Sequence, residues 1–259
     1  HNMIIYSAAA GGGVSIGDLF LAGVVPGVLT GILLMFVAWL VAVKRNYPRG
    51  TFPGWGAFFR ALIAALPGLM TAVIIMGGIL SGVFTPTESS AIAVIYTIIV
   101  GALIYRSLGP KRFMQAAVQS VRTTAMVLMI IGAATAFGYA LAILEAPSQL
   151  AAGIMSVSDN PLVILLIINL ILLLLGTFMD MSPLIVIMTP ILLPIVTGIG
   201  MDPVHFGIIM MLNLGIGLVT PPVGSVLFVG SAIGKVPVEQ AIRTIWPFYG
   251  ALVLALLVI

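Results

Sequence analysis

Asp180 is the acidic side chain hardest to explain by solvation alone. It stands in Gly176-Thr177-Phe178-Met179-Asp180-Met181-Ser182-Pro183, a polar turn between the apolar runs Leu162–Leu175 and Leu184–Val196. An ionisable group at membrane depth is costly and by default a functional candidate. The other acids, Asp18, Glu88, Glu145, Asp159, Asp202 and Glu239, fall near the ends of apolar runs. Thr177 and Ser182 flank Asp180, and Thr189 follows one or two helical turns later. A carboxylate, hydroxyls and the carbonyls freed by a turn make a hard-oxygen donor set. Such a set suits an alkali cation rather than a transition metal.

A second constellation is Asn213-Leu-Gly215-Ile-Gly217-Leu-Val219-Thr220-Pro221-Pro222-Val223-Gly224. Two prolines remove two backbone donors and push the preceding residues out of helix, while glycines permit unusual φ and close packing. The expected result is a discontinuous helix with unpaired carbonyls at its break. Secondary transporters use such breaks to present positive helix ends to anions and carbonyl ends to Na⁺ or H⁺. A proline kink by itself is only structural; hairpin and break together favour ion-coupled transport. Thr85-Pro86-Thr87-Glu88-Ser89-Ser90 is expected to start a helix, with Thr87 its cap, Pro86 and Glu88 around the first turn, and Glu88 either structural there or relevant to coupling. His205, after Asp202-Pro203, reads as capping or packing, and Met126, Met129, Met210 and Met211 read as packing. The absence of a P-loop, an HExxH or a nucleophile–base pair argues against an ATP-driven pump or an intramembrane enzyme.

The elements that must hold these residues are membrane helices. Of 259 residues, 61% are hydrophobic and only 7% charged, and mean hydropathy is +1.29. Soluble domains carry about 25% charged residues, so the chain is an all-α polytopic membrane protein. Its ten Lys and Arg are dispersed, which excludes a phosphate-tracking surface for nucleic acid. With no cysteine, disulfides and thiolate metal sites are excluded. Leu19–Val43, Ala61–Val83, Ser89–Tyr105 and Thr123–Leu144 are expected spans, given about 20 apolar residues per crossing. Val204–Ile233 is a broken span and Ile245–Ile259 a truncated last one; the start at His1 is likewise expected to be a cut end. Each apolar run flanking Asp180 holds about 13 or 14 residues, roughly 20 Å of helix. That is short for a crossing, and a re-entrant hairpin over 162–197 is the reading; two tilted spans are the alternative. Lys44, Arg45, Arg49 and Arg60, then Arg106, Lys111, Arg112 and Arg122, then Lys235 and Arg243 all fall on one side under this topology, which is the cytoplasmic one. Glu145–Asn160 then forms an outer loop. Trp55–Leu66 and Pro110–Arg122 look amphipathic and are expected along the interface.

Four ordered motifs carry a family resemblance: Gly82-Val-Phe-Thr-Pro-Thr-Glu88-Ser-Ser-Ala91, Gly176-Thr-Phe-Met-Asp180, Thr189-Pro-Ile-Leu-Leu-Pro194 and Asn213 to Gly224. Together they resemble the large membrane subunit of tripartite ATP-independent periplasmic (TRAP) transporters. The resemblance implies the second half of an inverted-repeat, elevator-type transporter with a re-entrant helical hairpin and a broken transmembrane helix. It implies a Na⁺-driven importer of organic acids, of the sialic acid or C4-dicarboxylate class, in the bacterial inner membrane. The partners implied are a small membrane subunit and a periplasmic substrate-binding protein; no organic cofactor is expected. Residues 1–15 would end the first repeat's broken helix and 16–122 would form scaffold and arm helices. Residues 123–233 would be the transport repeat, with hairpin 162–197 and broken helix 204–233, and 234–259 an interfacial helix plus the truncated span. The site residues implied are Thr177, Met179, Asp180 and Ser182 at the hairpin tip, and Asn213, Gly215, Val219, Thr220 and Gly224 at the break. Na⁺ is expected near Thr177, Asp180, Gly215 and Thr220. The rival readings are another ion-coupled anion carrier of this architecture working without a binding protein, and a channel-like subunit.

Overall fold

Polar residues followed by proline open several helices. Asn160 precedes Pro161 and accepts from the N–H of Leu162; Asp202 precedes Pro203 and accepts from those of Val204 and His205. Proline suits the first helical position because that N–H has no helical partner to lose. The same logic corrects the expected cap at Thr87. Pro86 takes the first position, so Thr85 is the cap, and Glu88 closes a capping box by accepting the Thr85 N–H at 2.8 Å.

The structure, a computed structural model, describes every residue except His1, Arg49, Asp159 and Val223. Arg49 of the first basic cluster, Asp159 of the expected outer loop and Val223 of the helix break therefore lie outside the described residues. The helices are α1 (Asn2–Ala9), α2 (Ile16–Ala22), α3 (Val24–Lys44), α4 (Trp55–Leu80), α5 (Pro86–Ile99), α6 (Pro110–Ile143), α7 (Ala146–Val157), α8 (Pro161–Phe178), α9 (Met181–Gly198), α10 (Pro203–Val219), α11 (Ser225–Gly234) and α12 (Val238–Val258). A π-helical turn, Val100–Ile104, continues α5. No strand occurs among the described residues, and seven apolar stretches are long enough to cross a bilayer.

Several elements differ from expectation. α8 and α9 each run 18 residues, because polar Thr177 and the Ser182-Pro183 pair are taken into the helices rather than left in the turn. Each is thus long enough to cross, so arm length no longer separates a hairpin from two spans. Trp55–Leu66 and Pro110–Arg122 are the first turns of α4 and α6, with no break between them and the spans that follow. The expected interfacial helix near the end and the last span are likewise one helix, α12. The expected outer loop holds the 12-residue helix α7.

Two compact units form, residues 1–45 with 127–259, and residues 46–126. This differs from the division drawn from the sequence, since α2 packs on α10 and α3 on α12 within the first unit. In that unit α8 shows one four-residue ridge inward (Ile164, Ile168, Leu172, Gly176) and another outward (Leu162, Leu166, Leu170, Leu174). Helices apolar all round belong in a bilayer or a deep core. The inward ridge shares one core cluster with Phe206, Met210 and Leu214 of α10, and Gly176 stands against Leu214. In the second unit α4 packs on α5, and the hydroxyls of Tyr96 and Tyr105 donate to the carbonyls of Pro67 and Ala64 at 3.0 and 3.3 Å.

The closest approach is at the ends of the α8 and α10 ridges. A Cβ on Gly217 would lie 2.6 Å from the carbonyl carbon of Gly176 and 2.7 Å from its Cα. Two backbones are in contact, an arrangement that small residues permit in membranes. Gly217→Ala is expected to lower stability by about 1–3 kcal/mol, the usual cost of overpacking, seen as a lower unfolding temperature in detergent. Gly215→Ala is the comparison, since nothing lies within 4 Å of a Cβ there; equal effects of the two would remove the contact from the argument.

Candidate functional site

Both chain interruptions are short. Met179 and Asp180 are extended (ψ 151° and 153°) and form the whole connection between α8 and α9. α10 stops at Val219, Thr220 turns extended at φ −96° and ψ 130°, the Pro221–Pro222 bond is cis, and α11 begins at Ser225. The Gly176–Gly217 contact joins these openings, one residue before Thr177 and three before Thr220.

At the break each carbonyl must find a partner other than the next helical turn. Ile216 O accepts the Thr220 hydroxyl at 2.7 Å, and Gly217 O accepts the Thr220 N–H at 2.9 Å. Val219 O accepts the hydroxyl of Tyr249 from α12. The carbonyl oxygens of Thr220 and Leu218 lie 3.0 and 3.3 Å from the place a Cβ on Gly224 would occupy. Gly224 has φ +34°, a conformation that disfavours any side chain. Its missing side chain leaves a gap faced by two carbonyl oxygens. Hard, neutral oxygens of this kind fit an alkali cation.

The hairpin side is partly engaged and partly open. Thr177 is buried and its hydroxyl donates to Leu174 O at 2.7 Å, leaving the oxygen's lone pairs available. Met179 and Asp180 are exposed on this chain, and Asp180, although at the cap position of α9, makes no side-chain cap bond. Gly215 is half-buried beside open space. Ser182 is held from another direction: its hydroxyl donates to Asn2 Oδ1 at 3.2 Å, and Asn2 Nδ2 points at Met181 Sδ. Thr189 is not part of the tip group. It is fully buried, its hydroxyl faces Met210 Sδ at 3.7 Å, and it stands about 13 Å along α9 from Asp180 by helical rise.

Asn213 faces α8. Its side chain is fully buried, and Nδ2 donates to Asn169 Oδ1 at 2.7 Å and to Asn169 O at 2.9 Å. Asn169 Nδ2 in turn donates to Leu165 O at 3.0 Å. Asn213 Oδ1 is buried without a hydrogen-bond partner among the described residues. Asn169, Tyr249 and Asn2 are the residues that reasoning from spacing missed. Asn169 had a readable signal, as the single amide in the Leu/Ile run of α8; Tyr249 and Asn2 lie far away in sequence and had none.

An all-helical chain with seven stretches apolar and long enough to cross a bilayer, with a broken helix packed backbone to backbone on the α8–α9 turn, defines the class: a polytopic membrane protein. The model of the tripartite ATP-independent periplasmic transporter DctM component matches residues 1–259, and the chain belongs to that family. It is 40% identical to the sialic acid TRAP transporter large permease protein SiaM of Vibrio cholerae, over 95% of this chain and 57% of that protein. It is 43% identical to the isethionate TRAP transporter permease protein DctMQ of Oleidesulfovibrio alaskensis, over 99% of this chain and 40% of that protein. It is 40% identical to the C4-dicarboxylate TRAP transporter large permease protein DctM of Pseudomonas aeruginosa, over 99% and 60%. The chain thus spans three-fifths or less of these relatives. Family and helices together make it a multi-pass protein of the bacterial inner membrane.

The amide pair yields a measurable coupling. Asn169→Ala and Asn213→Ala in a double-mutant cycle should show about 0.6–2 kcal/mol of interaction, the range for polar contacts between membrane helices. The check is unfolding equilibrium in detergent or bicelles; strictly additive effects would mean that the pair does not join α8 to α10.

Proposed function

We propose that the chain supplies one half of the ion- and substrate-handling core of a Na⁺-coupled secondary active importer of organic acid anions. In this reading α8 and α9 form a re-entrant hairpin and α10–α11 its broken partner helix, both within a mobile, elevator-type unit. The observation that carries the reading is the Gly176–Gly217 contact. In this reading α10, of 17 residues, and α11, of 10, share one tilted crossing, which needs about 20 apolar residues; the break between them then lies at membrane depth, and a tip pinned beside Gly217 shares it. Irregular backbone is tolerated there only against protein or a hydrated cavity.

The donor chemistry supports the same reading. Thr177, Asp180, Gly215 and Thr220 would hold the cation, with the carbonyls facing Gly224 as further oxygens. Thr220 contributes through its carbonyl and through a hydroxyl already oriented by Ile216 O. Asp180 caps no N–H of α9, and Pro183 has none to offer, so the positive end of α9 at Met181 and Ser182 is open to an anion. The relatives named for sialic acid, isethionate and C4-dicarboxylate all concern acids, which fits an anionic substrate. A bound cation next to that helix end lowers the cost of placing the anion there, and this ties the two cargoes together. A small membrane subunit and a periplasmic binding protein are the partners the family relation suggests.

The experiment is uptake of candidate acids into proteoliposomes containing the full-length transporter. Asp180→Asn is expected to lower Na⁺-gradient-driven uptake by at least roughly tenfold, the low end of what losing even an outer-shell partner of a metal site costs, while assembly is unchanged. Wild-type uptake with the same Na⁺ dependence would remove Asp180 from the site. Leaving out the binding protein should abolish uptake; persistence would favour a carrier that works without one.

A further inference from the structure

The unit formed by residues 46–126 contains a feature that ion coupling does not use. α4, α5, its π-helical turn and the start of α6 enclose a groove of about 750 Å³. Val94, Ile98, Val100, Leu108, Phe113 and Ala117 are among its apolar lining. The π turn shapes one end: Gly101 O accepts the N–H groups of both Ser107 and Leu108 at 2.9 and 3.2 Å, folding the chain back over the groove. Single π turns inside α-helices are frequent at functional positions.

That end carries the charge. Arg106, Lys111 and Arg112 are exposed around it, and Arg112 Nη1 donates to the carbonyl of Ser107, a lining residue. Arg60 is brought to the same end, one helical turn from Ala64, whose carbonyl accepts the Tyr105 hydroxyl. The only acid in 46–126 is Glu88, at the opposite end of α5 and about 27 Å from Arg106 by helical rise. Its carboxylate is taken up by Thr85. Four cations therefore surround the mouth of an apolar groove with no acid of their own unit to neutralise them.

We propose that this groove is a binding site for an anionic phospholipid, its acyl chain lying along α5 and α6 and its phosphate among Arg106, Lys111, Arg112 and Arg60. Basic pockets between membrane helices bind acidic headgroups in this way. A zwitterionic lipid satisfies the apolar wall but brings its own headgroup cation and hence no net charge to offset the four, and a free phosphate does the reverse. The occupant must have both parts.

The test is lipid retention by the full-length transporter complex, extracted from vesicles of phosphatidylglycerol, of phosphatidylcholine, or of phosphatidylcholine with free phosphate, and read by native mass spectrometry. Wild type should retain phosphatidylglycerol selectively. The triple variant R106Q/K111Q/R112Q should weaken retention roughly a hundredfold, at about 1 kcal/mol per cation and 1.4 kcal/mol per tenfold. Ala117→Phe, which keeps every cation and fills the groove, should also lower it, whereas K235Q/R243Q, outside this unit, should not. Equal retention of the two lipids, phosphate bound alone, an unaffected triple variant, or a photo-crosslinker at Ala117 that captures a protein helix would each overturn the proposal.

Discussion

Inside a bilayer there is no water to satisfy a backbone that leaves its helix, so each freed N–H or carbonyl must find a partner in the protein. The first unit sets the α8–α9 turn and the α10–α11 break side by side, in contact through a pair of glycines. Gly176 and Gly217 have no side chains to hold the backbones apart, so the end of α8 rests directly on α10. Thr220 then turns its own N–H and hydroxyl onto Gly217 and Ile216, and Tyr249 reaches in from α12 to take Val219 O. The carbonyl oxygens of Leu218 and Thr220 face the space that Gly224 leaves empty.

Polar contacts away from the break keep these helices in register. Hydrophobic burial distinguishes poorly among arrangements of helices in lipid, because lipid is as apolar as leucine. Specific amides and hydroxyls therefore carry more of the positioning. Asn213 grips both the side chain and the backbone of Asn169, which fixes how far α10 can slide or rotate on α8. Asn2 holds Ser182, docking α1 on the first turn of α9. These latches flank the openings without occupying them, and the carboxylate of Asp180 makes no cap bond to α9.

The second unit solves a different problem. Its helices are held by tyrosine hydroxyls on the carbonyls of α4, and Arg60, Arg106, Lys111 and Arg112 lie at the end of the groove away from Glu88. The chain therefore keeps two electrostatic environments in separate units, neutral oxygens with one carboxylate in the first and unneutralised cations beside an apolar groove in the second.

Composition and apolar run length alone determined the helical, multi-pass class, because so apolar a chain has no water-soluble way to pack. The positions of both interruptions were also legible, since Gly176–Pro183 and Thr220–Gly224 hold the residues that end helices. Local chemistry misjudged boundaries: α8 and α9 absorb polar residues from the turn, Thr85 replaces Thr87 as a cap, and the amphipathic stretches continue into spans. Only the tertiary structure decided that Gly176 meets Gly217, that Thr189 turns to Met210, and that Asn169, Tyr249 and Asn2 support the site. The physical reason is distance along the chain. Helix starts and stops are set by neighbours a few residues away, whereas these contacts join residues 21 to 180 positions apart and exist only once the helices have packed.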